Sequence, residues 1–129
     1  MTEPTDRNAN GGPAAVAAAA EAVLSVENAP LPLVVCHPDG RVAMANRAMR
    51  ALLGYRDGEI VNRRVWELQA DPESGRHCFD KLLHDGEMAQ HFVLLCGRDG
   101  EMVPTYGSAV VTRDDDGKIS LVIAQALPA

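Results

Sequence analysis

The feature that most constrains the fold is the run DGRVAMANRAMRALLGY at residues 39–55. Asp39 and Gly40 predict a tight hairpin turn, because glycine tolerates the positive φ that such turns require. The next residues have strand character, and Asn46 is a good N-cap because its side-chain oxygen can accept from free N–H groups of the following turn. Apolar residues then recur at helical spacing as far as Gly54, a typical stop. A turn, a strand and a helix this close together predict a small α+β domain.

The order of these elements resembles the N-terminal half of a PAS domain: a hydrophobic strand, a DG turn, a second strand, an AN cap and a helix ending in LLGY. The second half continues the resemblance, with a strand and DG turn at residues 94–100 and a last hairpin turn at residues 114–117. The resemblance covers residues 31–127. It implies a five-stranded antiparallel sheet with short helices and one connecting helix on one face, preceded by an N-terminal amphipathic helix.

The chain divides into a tail, a helix and a domain in this interpretation. Residues 1–12 are rich in polar residues and glycine, which predicts a disordered tail. Residues 13–28 predict an Ala-rich helix whose apolar stripe ends at Val23 and Leu24. Such a helix serves either as a cap packed on the domain or as the contact of a homodimer, through which PAS domains often pair. Residues 29–127 then form the PAS domain.

Composition argues against several classes of function. The net charge is −6 and there is no run of Lys or Arg, which disfavours binding to nucleic acid or to an anionic membrane. No apolar segment has the length needed to span a bilayer. The three cysteines are scattered without a CxxC pair, which is typical of reduced thiols in a cytoplasmic protein. No nucleophile motif, phosphate loop or zinc spacing is present, so the sequence predicts no enzyme.

The resemblance instead implies a sensory module that holds a small ligand or cofactor between the connecting helix and the inner face of the sheet. Strand alternation and the preceding short helix supply the candidate wall of that cavity. These candidate residues are Val65, Trp66, Val93, Leu95, Gly107, Ala109 and Gln125. The alternative is a ligand-free protein-interaction domain whose apolar core is filled by flexible methionine side chains.

Haem is one candidate cofactor. Residues 71–77, DPESGRH, resemble the EPDRSRH-like segment of oxygen-sensing haem-PAS kinases, with the Pro, the Arg and the His in register. The resemblance makes His77 a candidate ligand of the haem iron. His91 takes the position of the distal Arg that binds oxygen in those sensors, as a second axial ligand or a hydrogen-bond donor. Gly107 and Ala109 depart from that family, which has bulky aliphatic residues there.

Flavin is disfavoured by the same comparison. Light-oxygen-voltage photosensors carry a GxNCRFLQ-like motif whose Cys forms the flavin adduct. The matching residues 62–69, NRRVWELQ, keep the final Leu-Gln but have Val65 at the Cys position. The positions of the two flavin-ring Asn residues fall on Leu95 and Thr105, and Gln125 alone is retained. The adduct chemistry is therefore excluded in this register.

The resemblance also implies partners. A homodimer would form through the N-terminal helix, and the signal would pass to a separate effector protein or to a fused output domain. The Asp-x-Thr-like element that couples many PAS domains to their effectors is replaced here by QALP at residues 125–128.

Overall fold

The computed structural model describes residues 13–129, so the predicted disordered tail at residues 1–12 lies outside the described part of the chain. The elements in chain order are α1 (Pro13–Asn28), β1 (Leu33–Cys36), β2 (Val42–Ala45), α2 (Arg47–Leu53), a 3-10 helix (Val65–Leu68), α3 (Pro72–Asp85), β3 (Glu87–Cys96), β4 (Met102–Arg113) and β5 (Ile119–Pro128). The strands form one antiparallel five-stranded sheet in the order β2-β1-β5-β4-β3. The predicted α+β architecture is confirmed. Within residues 13–129, no helix is long and apolar enough to cross a membrane.

Asn46 joins three segments of the chain from a completely buried position. Its Oδ1 accepts from the N–H of Met49 at 3.0 Å, as the N-cap of α2, and from the N–H of Leu33 at 2.9 Å. Its Nδ2 donates to the carbonyl oxygens of Val26 at 2.8 Å and Leu31 at 2.9 Å. The residue predicted as a helix cap therefore also fixes the end of α1 and the start of β1.

An ion pair provides a second attachment for α1. The guanidinium of Arg50 donates to both carboxylate oxygens of Glu27, at 3.0 and 2.8 Å. This pair lowers the pKa of Glu27, chiefly through the side-chain hydrogen bond from Arg50. Val23 and Leu24, one turn earlier, are 54% and 58% exposed. The C-terminal turn of α1 is thus anchored to α2, while Val23 and Leu24 beside it remain exposed.

The two faces of the sheet differ sharply. On β4, Thr105, Gly107 and Ala109 are buried and alternate with the exposed Tyr106 and the half-buried Ser108, as predicted. The outer face carries a row in which Phe92 pairs with Tyr106 and Tyr106 pairs with Leu127. All three are exposed. The inner face packs on the helices around a core of Val34, Cys36, Val42, Ala45, Met49, Leu53, Ile60, Leu68, Phe79, Leu82, Leu95, Ala109, Val122 and Ala126.

Pro104 lies in an inner strand, although proline is normally confined to edges or bulges. It pairs with Leu94 of β3 on one side. On the other side its carbonyl oxygen accepts from the N–H of Ala129 at 2.9 Å, just past the end of β5 at Pro128. The nitrogen of Pro104 points to the same side as its carbonyl, one residue beyond the last β4–β5 pair, Thr105 with Pro128. Pro104 thus lies at the end of the β4–β5 ladder, and the expectation of an edge strand or a bulge is wrong, because β4 pairs on both sides.

The connecting helix α3 has the boundaries that its sequence predicts. Asp71 is the N-cap, with its side chain accepting from the N–H of Ser74, and Pro72 is the first helical residue. Gly86 ends the helix in the left-handed conformation, and its N–H donates to the carbonyl of Leu82 at 2.8 Å. These caps fix which residues of α3 face the sheet.

Candidate functional site

A cavity of about 100 Å³ lies between α3 and the inner face of the sheet. Its floor is formed by β1, β3, β4 and β5, and its roof by α3 and the 3-10 helix. Within the described part of the chain, every side chain that lines it is uncharged. Apolar groups predominate. The site can therefore exclude water and hold an apolar group, and its described residues supply no carboxylate, imidazole or cation for chemistry.

Most of the predicted wall residues border this cavity. They are Val65, Val93, Leu95, Gly107, Ala109 and Gln125. Gln125 borders it with its backbone, since its carbonyl oxygen lies 3.7 Å from where a Cβ on Gly107 would stand. Strand alternation turns Ala124 and Ala126 inward and so places the Gln125 amide on the outer face. Gln125, predicted as a wall residue, therefore borders the cavity through its backbone.

The two predicted haem ligands lie outside the cavity wall. His77 is exposed, because α3 turns Gly75, Phe79 and Leu82 towards the core and His77 falls between them on the solvent side. His91 is exposed next to a bulge of β3 centred on Gln90, whose φ is +48°. The structure therefore does not bring these two imidazoles to a common site in the cavity.

Trp66 also lies outside the cavity. Its ring covers Gly40, where an added Cβ would overlap the indole, and where φ is +91°. The ring meets Phe79 edge-on at 5.4 Å between centroids, and the guanidinium of Arg76 lies 5.7 Å from its centre. Trp66 joins the first hairpin turn to α3 and does not line the ligand site.

Sulfur atoms form part of the wall that sequence reasoning missed. The lining sulfur residues are Cys36, Met49, Cys78 and Met88. The Sγ of Cys78 lies 3.4 Å from the Sδ of Met88. Burial raises the pKa of the Cys36 thiol to about 12 and also raises the pKa of Cys78. Both thiols are thus protonated at neutral pH and are poor nucleophiles.

The polar side chains of the cavity wall differ in whether they have a hydrogen-bond partner in the protein. Thr105 is satisfied, because its hydroxyl donates to the carbonyl of Val93 at 2.8 Å. Gln69 packs against Gly75, where an added Cβ would stand 2.7 Å from Cδ, 2.8 Å from Oε1 and 2.9 Å from Nε2. Among the side-chain hydrogen bonds of residues 13–129, none involves the Gln69 amide. Gln69 therefore keeps its hydrogen-bonding capacity at the cavity, a role that sequence reasoning did not assign.

A sequence profile of the PAS domain matches residues 30–125, which is most of the chain. The chain belongs to the PAS domain family. PAS domains are typically sensory rather than catalytic modules, in keeping with an uncharged cavity. No curated protein matches the sequence.

Solved PAS structures show the same fold. The PAS domain of an HTR-like protein from Haloarcula marismortui superimposes with a TM-score of 0.72 at 21% identity, over 87% of this chain and 92% of that one. A PAS domain from Colwellia psychrerythraea superimposes with a TM-score of 0.73 at 13% identity, over 84% of this chain and 94% of that one. An RNA-binding light-oxygen-voltage receptor superimposes with a TM-score of 0.73 at 22% identity, over 84% of this chain but 32% of the receptor. At such identities these likenesses establish the fold alone.

The cavity of this PAS domain does not fit haem or flavin as it stands. Pockets for cofactor-sized ligands measure roughly 300 to 1,000 Å³, several times the volume found here. Within the described residues, no imidazole lines the wall, so a haem iron would lack the ligand expected at His77. Val65, Leu95 and Thr105 line it where flavin photosensors are expected to carry their Cys and two Asn residues. The donor set matches neither cofactor.

Proposed function

We propose that this PAS domain is a sensory module that binds a small ligand in the cavity between α3 and the sheet. The observation that carries the proposal is the cavity itself, which remains although flexible methionines line it. Met49 and Met88 are the side chains best suited to fill an irregular gap, yet about 100 Å³ stays open beside them. This favours a ligand site over the alternative of a filled core.

Signal transfer follows from differential affinity. A ligand shifts a conformational equilibrium only as far as it binds one state better than the other. The helix α3 and the strands β3 and β4 contribute opposite walls, so a bound ligand would bias their separation. A separate effector or a fused output domain would read that change. The three free thiols support a cytoplasmic setting for the module.

Native mass spectrometry of the freshly purified full chain tests ligand binding. The expected result is a mass excess that disappears on denaturation, either directly or after incubation with a small-molecule extract of cells. A Gly107→Ala variant, in which the new methyl group enters the cavity, should retain less of that excess. The mass of the bare chain under both conditions would overturn the proposal in favour of the ligand-free interaction domain.

A second function, homodimer formation through α1, rests on a different observation. Val23 and Leu24 of α1 are exposed, and they line a groove of about 290 Å³ together with Met44 of the edge strand β2 and Val61. Exposed apolar residues gathered at one groove are typical of an interaction surface. The occupant is a second copy of this chain, which would bring its own α1 to the same surface.

Sedimentation over a range of concentrations tests the dimer. The unchanged chain should be dimeric, and Val23→Glu combined with Leu24→Glu should be monomeric, since a buried unpaired charge is costly. Phe92→Glu, on the exposed outer face of the sheet, is the matched control and should remain dimeric. If Phe92→Glu dissociates while the α1 variant stays dimeric, the contact lies on the sheet. A wild-type monomer throughout would overturn dimerisation.

A further inference from the structure

We propose that the cavity selects small neutral ligands that carry one hydrogen-bonding group, and that the Gln69 amide recognises that group. This inference rests on the proposed function, because it assigns a ligand class to the same cavity. It follows from the charge, the volume and the polar groups of the wall, which are independent observations.

The wall excludes charged ligands. Within the described chain, all of its side chains are uncharged, so a buried carboxylate or ammonium group would find no counter-ion. Burying an unpaired charge costs far more than burying a neutral polar group. Among the described wall residues, the titratable side chains are the thiols of Cys36 and Cys78, and their surroundings favour the protonated form. A neutral ligand therefore enters the cavity without the free-energy cost of burying an unpaired charge.

The volume limits the size of the ligand. An engineered apolar cavity of about 150 Å³ in another protein binds benzene or xenon. The present cavity, at about 100 Å³, is smaller than that one. Met49 and Met88 can adjust their rotamers to a guest, because unbranched side chains re-pack easily. A ligand of about five non-hydrogen atoms is the size that this space fits.

The recognition group is the Gln69 amide. A carboxamide offers both donors and an acceptor, so it suits a hydroxyl or carbonyl group on a neutral ligand. Among the described wall residues, the Thr105 hydroxyl donates to Val93, the Ser108 hydroxyl accepts from the N–H of Gln90 at 3.0 Å, and the Gln125 amide lies on the outer face. This leaves the Gln69 amide as the polar side-chain group without a hydrogen-bond partner in the protein. Gly75 makes this arrangement possible, because a side chain there would displace the amide. Gly75 is thus a positioning residue for Gln69.

Four probes of nearly equal size separate these claims by two-dimensional NMR of the full chain. They are 1-butanol, pentane, butylammonium and butyrate. The expected result is that 1-butanol shifts the amide signals of Gly75, Gly107 and Ala109 and binds more tightly than pentane. Butylammonium and butyrate should leave those signals unchanged at the same concentration. The spectrum also reports whether each variant is folded.

Two variants test the role of Gln69. Gln69→Leu should reduce the affinity for 1-butanol about fivefold, the effect of one net hydrogen bond, and leave pentane unchanged. Gly75→Ala should show the same pattern, because the displaced amide no longer faces the ligand. A 1-butanol preference that survives in Gln69→Leu overturns the recognition role of Gln69.

The remaining outcomes distinguish this inference from the proposed function. Charged probes that bind as well as 1-butanol overturn the neutral class, while ligand binding by the cavity still stands. No shift at the wall residues with any probe overturns both the ligand class and the proposed function.

Discussion

The side-chain amide of Gln69 packs directly on the backbone of Gly75, with only 2.7 Å between Cδ and the place of a Cβ on Gly75. Gly75 is buried at the end of the first turn of α3, and glycine within a helix lowers its stability by up to about 1 kcal/mol relative to alanine. A residue that weakens the helix is thus also the residue that admits a polar group to the cavity wall.

The first prediction concerns that pair. Gly75→Ala should stabilise the fold by less than the expected gain of about 1 kcal/mol, because the new methyl group must displace the Gln69 amide. In a Gln69→Ala background the full gain should appear. Urea denaturation of the four proteins measures the coupling, which should be at least about 0.5 kcal/mol. Strictly additive effects would show that the two residues do not compete for the same space.

The second prediction concerns Asn46. Asn46→Ala should lower the free energy of unfolding by at least about 3 kcal/mol, because two backbone N–H groups and the Leu31 carbonyl lose their partner. The Val26 carbonyl keeps only the weaker bond from the N–H of Ala29, at 3.3 Å. Asn28→Ala, at the exposed end of α1, is the control and should change it by less than about 0.5 kcal/mol. Equal effects of the two substitutions in denaturant titrations would contradict the structural role of Asn46.

The third prediction compares two glycines, Gly107 within β4 and Gly100 in the turn before it. A Cβ on Gly107 would contact Val93 at 3.4 Å, so Gly107→Ala should be tolerated or stabilising by up to about 1 kcal/mol. It should also weaken 1-butanol binding, since it fills part of the cavity. Gly100→Ala, at φ +86°, should destabilise the fold by roughly 1–2 kcal/mol and leave binding unchanged. Thermal unfolding measures the two stabilities, and NMR titration measures binding. If Gly107→Ala binds 1-butanol as tightly as the wild type, the cavity lies elsewhere.

The fourth prediction concerns pH. The hydrogen bonds from Arg50 depress the pKa of Glu27 below its ordinary value of 4.5 in the folded protein. The contribution of the pair to stability is therefore present above that ordinary value and is lost as the pH falls through the depressed pKa. The stability difference between wild type and Glu27→Gln should shrink between pH 7 and about pH 3. A difference that stays constant over that range would show that the ion pair does not stabilise the fold.

The fifth prediction concerns thiol reactivity. Cys36 is 1% exposed, and its pKa of about 12 leaves almost no thiolate at pH 8. Iodoacetamide should therefore modify Cys36 more slowly than Cys78 and Cys96 in the folded protein, as read by peptide mass spectrometry. The denatured chain is the control, in which all three should react alike. Early modification of Cys36 would mean that β1 is less well covered than the structure indicates.

Local signals were sufficient to predict most of the fold. The hairpin turn at Gly40, the cap at Asn46 and the ends of α3 depend on residues a few positions apart, so their chemistry can be read from the chain. The alternation along β4 correctly placed Gly107 and Ala109 on the inner face. These features require no knowledge of distant contacts.

The candidate site was harder to predict because it depends on which way each element turns. His77 lies two positions from both Gly75 and Phe79, which at 3.6 residues per turn puts it opposite the buried face of α3. The prediction of His77 as a haem ligand rested on the likeness of DPESGRH to a haem-binding segment and did not take this helical periodicity into account. The bulge before His91 and the register shift after Thr112 change which residues of neighbouring strands pair with each other. Neither irregularity has a signature in the sequence.

A crystal structure under xenon pressure tests most directly whether the space between α3 and the sheet admits a small neutral guest. Xenon is apolar and uncharged, and cavities of comparable size bind it. The expected result is one xenon site between Gly75 of α3 and Gly107 and Ala109 of β4, with little movement of the backbone. A crystal in which Met49 and Met88 fill that space and xenon is absent from it would contradict the ligand-binding site.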